Sequence, residues 1–238
     1  MKGTVHAAIG ASTPIGLILT QHVSPLQGAT MAAVSAGFSL LPDAECEKAT
    51  ADRALGGVFH KPVHRLCAWV YDATATPADA RNAQWRLIRK WKDPYHRTLT
   101  HTLLAVLTLG VLTYTIAISA PAFMAFIAAF GVFLLWPLHR KVLLGVAVGA
   151  AAAAVGAATL LTPWLLTLAV AGGYLTHVVG DACTKGGVPA FWPVRIQGKR
   201  WRNIRLLGGL VASGSSREKG PALGISLASN ALLVFLML

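Results

Sequence analysis

The sequence predicts an all-α, polytopic membrane protein, and three observations support this. Of its 238 residues, 55% are hydrophobic and only 13% are charged, and the mean hydropathy is +0.57. Apolar runs of roughly membrane-spanning length recur from residue 100 to the C-terminus. The 21 Lys and Arg residues lie between these runs rather than inside them. This composition excludes a water-soluble α/β enzyme and a disordered polypeptide.

The apolar runs predict a helix bundle with about six crossings, of which the first two are short. The N-terminal runs 7–20 and 26–41 fall below the ~20 residues of an upright span, and Pro14 and Pro25 interrupt this region, so we expect a pair of short or partly re-entrant helices. The longer runs that complete the six crossings are His101–Ser119, Ala122–Leu138, Val142–Leu160 and Trp164–Val179, and a further short, continuous run, Ala222–Leu238, ends the chain.

The basic residues predict the orientation of the chain. Residues 42–97 contain ten Lys and Arg, residues 183–220 contain eight, and the turns expected on the other side contain none. Because Lys and Arg accumulate in cytoplasmic loops, we interpret 42–97 as a cytoplasmic loop insertion and 183–220 as a cytoplasmic basic segment of one membrane domain, 1–238. The net charge of +12 is then a topology signal that suits anionic lipid. No nucleic-acid partner is expected, because no reader motif accompanies the charge.

The 42–97 loop is predicted to contain a basic amphipathic helix. Thr76 and Pro77 are typical of a helix start, and Asp79 lies in the first turn. Such a helix either lies on the inner leaflet or packs as a solvated helix on the rest of the loop. Its apolar and basic residues are Trp85, Leu87, Ile88, Trp91, Arg81, Arg86, Arg89, Lys90 and Lys92.

Ionisable residues collect at the predicted cytoplasmic ends of the helices. His177 and Asp181 are four residues apart and share one helix face. His96 and His101 can converge if Thr98 or Thr100 caps the next helix. Imidazole and carboxylate ligands suit Zn²⁺, with Mn²⁺ or Fe²⁺ as alternatives. We therefore predict that one or two divalent ions are bound; if there are two, they share a bridging carboxylate. The predicted ligands are His6, Asp43, His96, His101, His177 and Asp181.

Two other patterns carry less weight. His60 and His64 have the spacing of a helical metal-binding pair, but Pro62 between them argues against a regular helix. The three cysteines have no paired spacing and all fall on the predicted cytoplasmic side, so we expect no disulfide framework.

The motifs resemble the membrane-bound metal-dependent hydrolases related to the inner membrane protein YdjM. The residues that carry the resemblance are His6, Leu40–Asp43, His96–Leu104, Gly173–Pro189, Phe191–Pro193 and, more weakly, Ser213–Glu218. The match spans most of the chain in order, with an insertion around 71–94. It implies hydrolysis of phosphoester bonds and a loose similarity to the ligand pattern of zinc-dependent phospholipase C.

The sequence departs from this family at Asp43-Ala44-Glu45-Cys46, where relatives tend to read Asp-x-Asp-His. Glu45 can replace a carboxylate. Cys46 is either a zinc ligand in place of His or a small loop residue.

In the hydrolase interpretation, Glu45 or Glu218 serves as general base or acid, and Arg97 and Lys185 neutralise charge on a phosphoryl oxygen. The expected partners are the lipid bilayer and an anionic phospholipid or phosphoester. Arg195, Lys199, Arg200 and Thr184 are candidates for binding this substrate, although the three cations also suit simple anchoring of the chain on the positive side.

Two alternatives use the same residues. A metal or anion transporter would bind a passing ion with them, and would place polar residues near the middle of the membrane. A non-catalytic scaffold would keep a structural metal in a closed ligand shell. The sequence does not specify an oligomeric state.

Overall fold

The computed structural model of the protein describes residues 1–80, 95–138, 143–209, 211–212 and 215–237. Within these ranges the regular structure is helical, with three isolated β-bridges and no strand, which confirms the all-α class. The α-helices are α1 (Gly3–Ser12), α2 (Ile15–Leu19), α3 (Pro25–Phe38), α4 (Thr50–Ala54), α5 (His60–Thr74), α6 (Pro77–Ala80), α7 (Leu103–Ser119), α8 (Ala122–Phe133), α9 (Leu143–Thr159), α10 (Pro163–Ala182) and α11 (Lys219–Met237).

Two helices are long and apolar enough to cross a membrane by length and composition, namely Pro163–Ala182 and Lys219–Leu236. Shorter apolar helices cover Gly3–Leu19, Leu103–Ser119, Ala122–Leu138 and Gly145–Thr159. The six-crossing arrangement therefore goes beyond what the helix lengths establish.

Helix α10 lies at the centre of the bundle and packs against α1, α3, α7 and α11. It begins at Pro163, and the Thr162 hydroxyl caps it by accepting the Leu165 N–H at 3.3 Å. Its contact with α3 is close at Gly173, where an added Cβ would lie 2.3 Å from the Ser35 carbonyl oxygen. A Cβ at Gly10 of α1 would lie 2.7 Å from the same oxygen, so three helices meet at Ser35.

We expect Gly173→Ala to separate α10 from α3 and to lower the free energy of unfolding by about 1–3 kcal/mol, since backbone cannot yield as a side chain does. The adjacent Gly172→Ala is a matched control, because its Cβ would meet only the Thr13 methyl at 3.5 Å. Denaturant unfolding of the detergent-purified proteins measures the free energy of unfolding of each variant. Equal stability of the two variants would contradict the close approach.

The loop helices pack on the segment that follows α10. Asp79 in α6 is buried and accepts the Trp201 and Arg200 backbone N–H groups at 3.1 and 3.3 Å. The Thr74 hydroxyl at the end of α5 accepts the indole N–H groups of Trp192 and Trp201 at 3.3 and 3.0 Å. Residues 60–80 and the basic segment therefore form one layer.

Three local predictions are tested by these helices. The cap of α7 is Thr102, which accepts the Ala105 N–H at 3.1 Å, so the expected cap at Thr98 or Thr100 was wrong. The expectation of irregular structure around Pro62 was also wrong, because α5 begins at His60 and Pro62 lies in its first turn, where no helical N–H bond is needed. Helix α6 begins at Pro77 as predicted, and the rest of the predicted amphipathic helix, 81–94, lies outside the described residues.

Candidate metal centre

Four side chains converge where helices end or begin. Asp43 follows α3, His101 precedes α7, and His177 and Asp181 lie in the last two turns of α10. One ligand atom from each of the four lies within 4.8 Å of all the others. We call these four residues the His–Asp cluster.

The distances in the His–Asp cluster fit a single ion. The Nε2 atoms of His101 and His177 are 3.2 Å apart. Asp43 Oδ1 lies 3.5 Å from each of them, and Asp181 Oδ2 lies 3.6 Å from each. Ligand atoms about 2.1 Å from a tetrahedral zinc ion are separated by about 3.4 Å. These five distances therefore suit a single divalent ion, and all four ligand atoms lie within 4.8 Å of one another.

Hydrogen bonds behind the imidazoles define which nitrogen faces the cluster. His177 Nδ1 lies 2.7 Å from the Ser39 carbonyl oxygen, which can only accept, so Nδ1 carries the proton. His101 Nδ1 lies 3.0 Å from the Thr100 hydroxyl and 3.5 Å from Glu45 Oε1. In its neutral form, each ring then points an Nε2 lone pair into the cluster. Two lone pairs at 3.2 Å repel unless a proton or a metal ion lies between them, and a metal ion between them is the arrangement of metal-ligating histidines.

His6 lies beside the cluster rather than in it. It is fully buried in α1, its ring stacks on His177 with centroids 3.8 Å apart, and its Nε2 lies 3.4 Å from Asp181 Oδ1. Neither of its ring nitrogens has a hydrogen-bond partner among the described residues. The Met1 amino group also contacts Asp181 Oδ1. The two oxygens of Asp181 thus face different groups, with Oδ2 toward the cluster and Oδ1 toward His6.

Glu45 lies behind His101 and is buried. Its Oε1 accepts the Arg97 backbone N–H at 2.6 Å and lies 3.3 Å from His96 Nδ1, and its Oε2 accepts the Cys67 thiol at 2.9 Å. Burial alone would raise the pKa of Glu45, but the hydrogen bond with His96 and the charge of His101 outweigh it and lower the pKa. His96 therefore contacts Glu45 and is not part of the four-residue cluster.

Arg97 links Glu45 to the cluster. Its Nε donates to Asp181 Oδ2 at 2.9 Å, and its Nη1 donates to the Thr184 hydroxyl at 2.7 Å. Its backbone has φ of +62°, which is unusual for a residue with a Cβ and is typical of functional sites. This conformation directs the N–H to Glu45 while the side chain reaches Asp181.

The remaining predicted site residues lie around this centre. Thr184 is buried and donates its hydroxyl to the Asp181 carbonyl, and Lys185 next to it is exposed. Glu218 is buried and accepts the Lys2 N–H at the start of α1. Arg195 is exposed in the basic segment, Lys199 and Arg200 are partly exposed, and the Arg200 guanidinium donates to the Thr74 carbonyl.

The other histidine pair does not form a metal-binding pair. His60 Nδ1 lies 3.0 Å from Asp52 Oδ1, and the His64 ring packs edge-on against Tyr95. Sequence reasoning missed the Ser39 carbonyl and Cys67. A backbone carbonyl leaves no signal in a sequence, and a lone buried cysteine has no motif around it.

The environment of Cys67 makes its thiol unreactive. Burial, and then the charge of Glu45, raise the pKa of Cys67. Cys183 is buried and Cys46 is partly exposed. We expect maleimide to label Cys46 at least about tenfold faster than the other two in folded protein, because each pKa unit lowers the thiolate fraction about tenfold. All three should label after unfolding, and Cys46→Ser should abolish the fast phase. Fast labelling at Cys67 would contradict its contact with Glu45.

The fold and the centre together define a class, an all-helical protein with long apolar helices and a buried His–Asp cluster at their ends. The chain belongs to the YdjM inner membrane protein family, whose model matches residues 1–238. Association with the lipid bilayer follows from this membership. No curated protein and no solved structure shows a significant match to the chain.

Proposed function

We propose that the protein is a membrane-embedded, metal-dependent hydrolase that acts on a phosphoester or lipid-like anionic substrate at the cytoplasmic membrane interface. One observation carries the proposal: two imidazole Nε2 atoms and two carboxylate oxygens face one another within 4.8 Å at the ends of apolar helices. A divalent ion bound there would supply a Lewis acid and a water of lowered pKa.

The ligand chemistry favours Zn²⁺, with Mn²⁺ or Fe²⁺ as alternatives. Asp43, His101, His177 and Asp181 would hold the first ion. His6 is the candidate ligand of a second ion that shares Asp181, because Asp181 Oδ1 faces His6 while Oδ2 faces the cluster. His96 would act on the first ion only through Glu45, which contacts both His96 and His101.

The reaction would be hydrolysis of a P–O ester bond. The oxygen of water bonds to phosphorus, the ester P–O bond breaks, and the proton from water reaches the departing alkoxide. Arg97 and Lys185 would neutralise the phosphoryl oxygens, since Arg97 already lies against Asp181 and Lys185 is exposed beside it. Glu45 and Glu218 are the candidate proton carriers, and Glu45 also orients His101.

Substrate would enter on the side of Asp43. Its side chain is 24% exposed, whereas those of His101 and His177 are fully buried. Thr184 positions Arg97, and Arg195, Lys199 and Arg200 would hold an anionic head group or anchor the chain at anionic lipid.

The placement of the centre at the cytoplasmic face, and a multi-pass bundle of about six crossings, are part of this proposal. They rest on the basic residues of 42–97 and 183–220 and on the five apolar helices α7 to α11. The ends of α3 and α10 and the starts of α1 and α7 all meet at the cluster, as alternating crossings require. A cluster at helix ends also favours a hydrolase over a transporter, whose ion site would lie near the midplane.

Metal reconstitution of the purified protein tests the proposal. The wild type should carry one to two equivalents of zinc or manganese, and should hydrolyse a phosphoester or phospholipid from a panel. A chelator should abolish the activity, and added Zn²⁺ or Mn²⁺ should restore it. Folded protein that retains no metal would overturn the centre, and a loaded protein inactive on the whole panel would favour the scaffold.

A further inference from the structure

A long groove runs along α10 between α7 and α11, with a volume of about 900 Å³. It extends from Trp164 to Cys183, which is about 28 Å at the rise of an α-helix, close to the thickness of a bilayer core. Val179 and Cys183 each follow a cluster residue by two positions, so the groove lies on the opposite face of α10 from the His–Asp cluster. It is therefore distinct from the metal centre.

The groove offers almost no polar group to a ligand. Its Thr and Ser hydroxyls all donate to a carbonyl one turn earlier in their own helix, which leaves their carbon atoms facing the space: Thr13 to Ile9, Thr167 to Pro163, Thr176 to Gly173 and Ser229 to Ser226. Apart from Tyr114, Trp164 and Cys183, the lining offers a polar ligand few hydrogen-bond partners, whereas an alkyl chain needs none.

The volume indicates which apolar ligand fits. A volume of about 900 Å³ lies within the usual range for small-ligand sites.

Two basic residues lie next to one end of the groove. Leu206 lines the groove, and its neighbour Arg205 packs against Gly209, where a Cβ would lie 3.4 Å from Arg205 Cδ and 3.1 Å from Lys185 Cα. Lys185 and Arg205 therefore flank one glycine beside the groove. A phosphate placed between them would put its acyl chain at Leu206 and Cys183.

We infer that this groove binds an acyl chain of an anionic phospholipid whose phosphate lies at Lys185 and Arg205. Lys185 follows Thr184, and Thr184 holds Arg97 against Asp181. The bound phosphate and the metal centre therefore both lie at the C-terminal end of α10, on opposite sides of the helix. A phospholipid that moves from this site around the end of α10 to the exposed side of Asp43 would be the substrate. That last step rests on the proposed function, whereas lipid binding does not.

Photo-crosslinking tests the groove without requiring turnover. The full-length protein is reconstituted in phosphatidylcholine vesicles that contain phosphatidylglycerol with a diazirine in the acyl chain. We expect labelling to concentrate at Leu107 and Leu232, which line the groove, over Phe126, which is exposed on α8. Ala228→Leu should reduce this labelling at least fivefold, and Ala231→Leu should not, since both residues are exposed on α11 but only Ala228 lines the groove.

A second experiment tests whether Lys185 and Arg205 bind the lipid phosphate. Replacing Lys185 and Arg205 together by Gln should remove a preference of at least fivefold for the phosphatidylglycerol probe over its phosphatidylcholine analogue. Retention of that preference would overturn the basic site. Equal labelling of Phe126, or crosslinks between two copies of the chain in place of lipid, would overturn the groove.

The same samples separate this inference from the proposed function. Metal-depleted protein should label as strongly as loaded protein, because the groove and the cluster lie on opposite faces of α10. Groove labelling without any hydrolysis would leave the lipid site standing and count against the hydrolase. Hydrolysis of water-soluble phosphoesters without groove labelling would support the hydrolase and overturn the lipid site.

Discussion

In the proposed metal centre, His177→Ala will strongly deplete the bound metal. The substitution removes one of two imidazole ligands and also the hydrogen bond that holds the ring to the Ser39 carbonyl. We expect metal affinity to fall about 100-fold or more, and hydrolysis to fall on the order of 100- to 1,000-fold, because several kcal/mol of transition-state stabilisation depend on the ion. Elemental analysis and a turnover assay measure the two effects.

A second variant guards against loss of folding, since His177 is fully buried. Asp43 is the most exposed member of the cluster, and Asp43→Asn keeps its shape while it removes a charged ligand. It should also deplete the metal. His22→Ala, at the turn before α3, is the control and should retain wild-type metal. Normal metal content in both ligand variants would refute the His–Asp cluster as the metal site.

Arg97→Ala will destabilise the metal-free protein by about 3 kcal/mol, since it removes the guanidinium that, together with the Met1 amino group, offsets the charge of the buried Asp181 carboxylate. Arg97→Lys should cost less, about 1 kcal/mol, because one ammonium keeps the charge but does not reach both Asp181 and Thr184. The destabilisation should be smaller when metal is bound, because the ion then offsets the negative charge of Asp181. Denaturant unfolding with and without Zn²⁺ measures this difference.

Arg195→Ala is the matched control, because Arg195 is exposed, and it should leave stability unchanged. If Arg97→Ala destabilised loaded and metal-free protein equally, the guanidinium would be a packing group rather than a counter-charge to Asp181.

The sequence predicted the helical class and the convergence of His and Asp residues at helix ends. Both depend on strong signals, namely apolar runs and ionisable groups placed where the runs stop. The sequence could not assign different roles to His96 and His101, because their spacing does not reveal that His96 contacts Glu45 whereas His101 belongs to the His–Asp cluster. Nor could it choose a cap among Thr98, Thr100 and Thr102, which are chemically identical.

Other features depend on tertiary structure alone. The Ser39 carbonyl is available to His177 because α3 ends there, and Gly173 lets α3 approach closely enough for this bond. The groove escaped prediction because its hydroxyls look polar in the sequence, whereas each is satisfied within its own helix.

The order of the cluster residues along the chain sets the timing of its assembly during synthesis. Asp43 and His101 leave the ribosome well before His177, and the 76 residues from Thr102 to His177 take about 4–15 s at roughly 5–20 residues per second. During that interval the early ligands have no partner in α10. If the proposed centre binds metal, we therefore expect metal capture to be a late event, which follows the synthesis of α10.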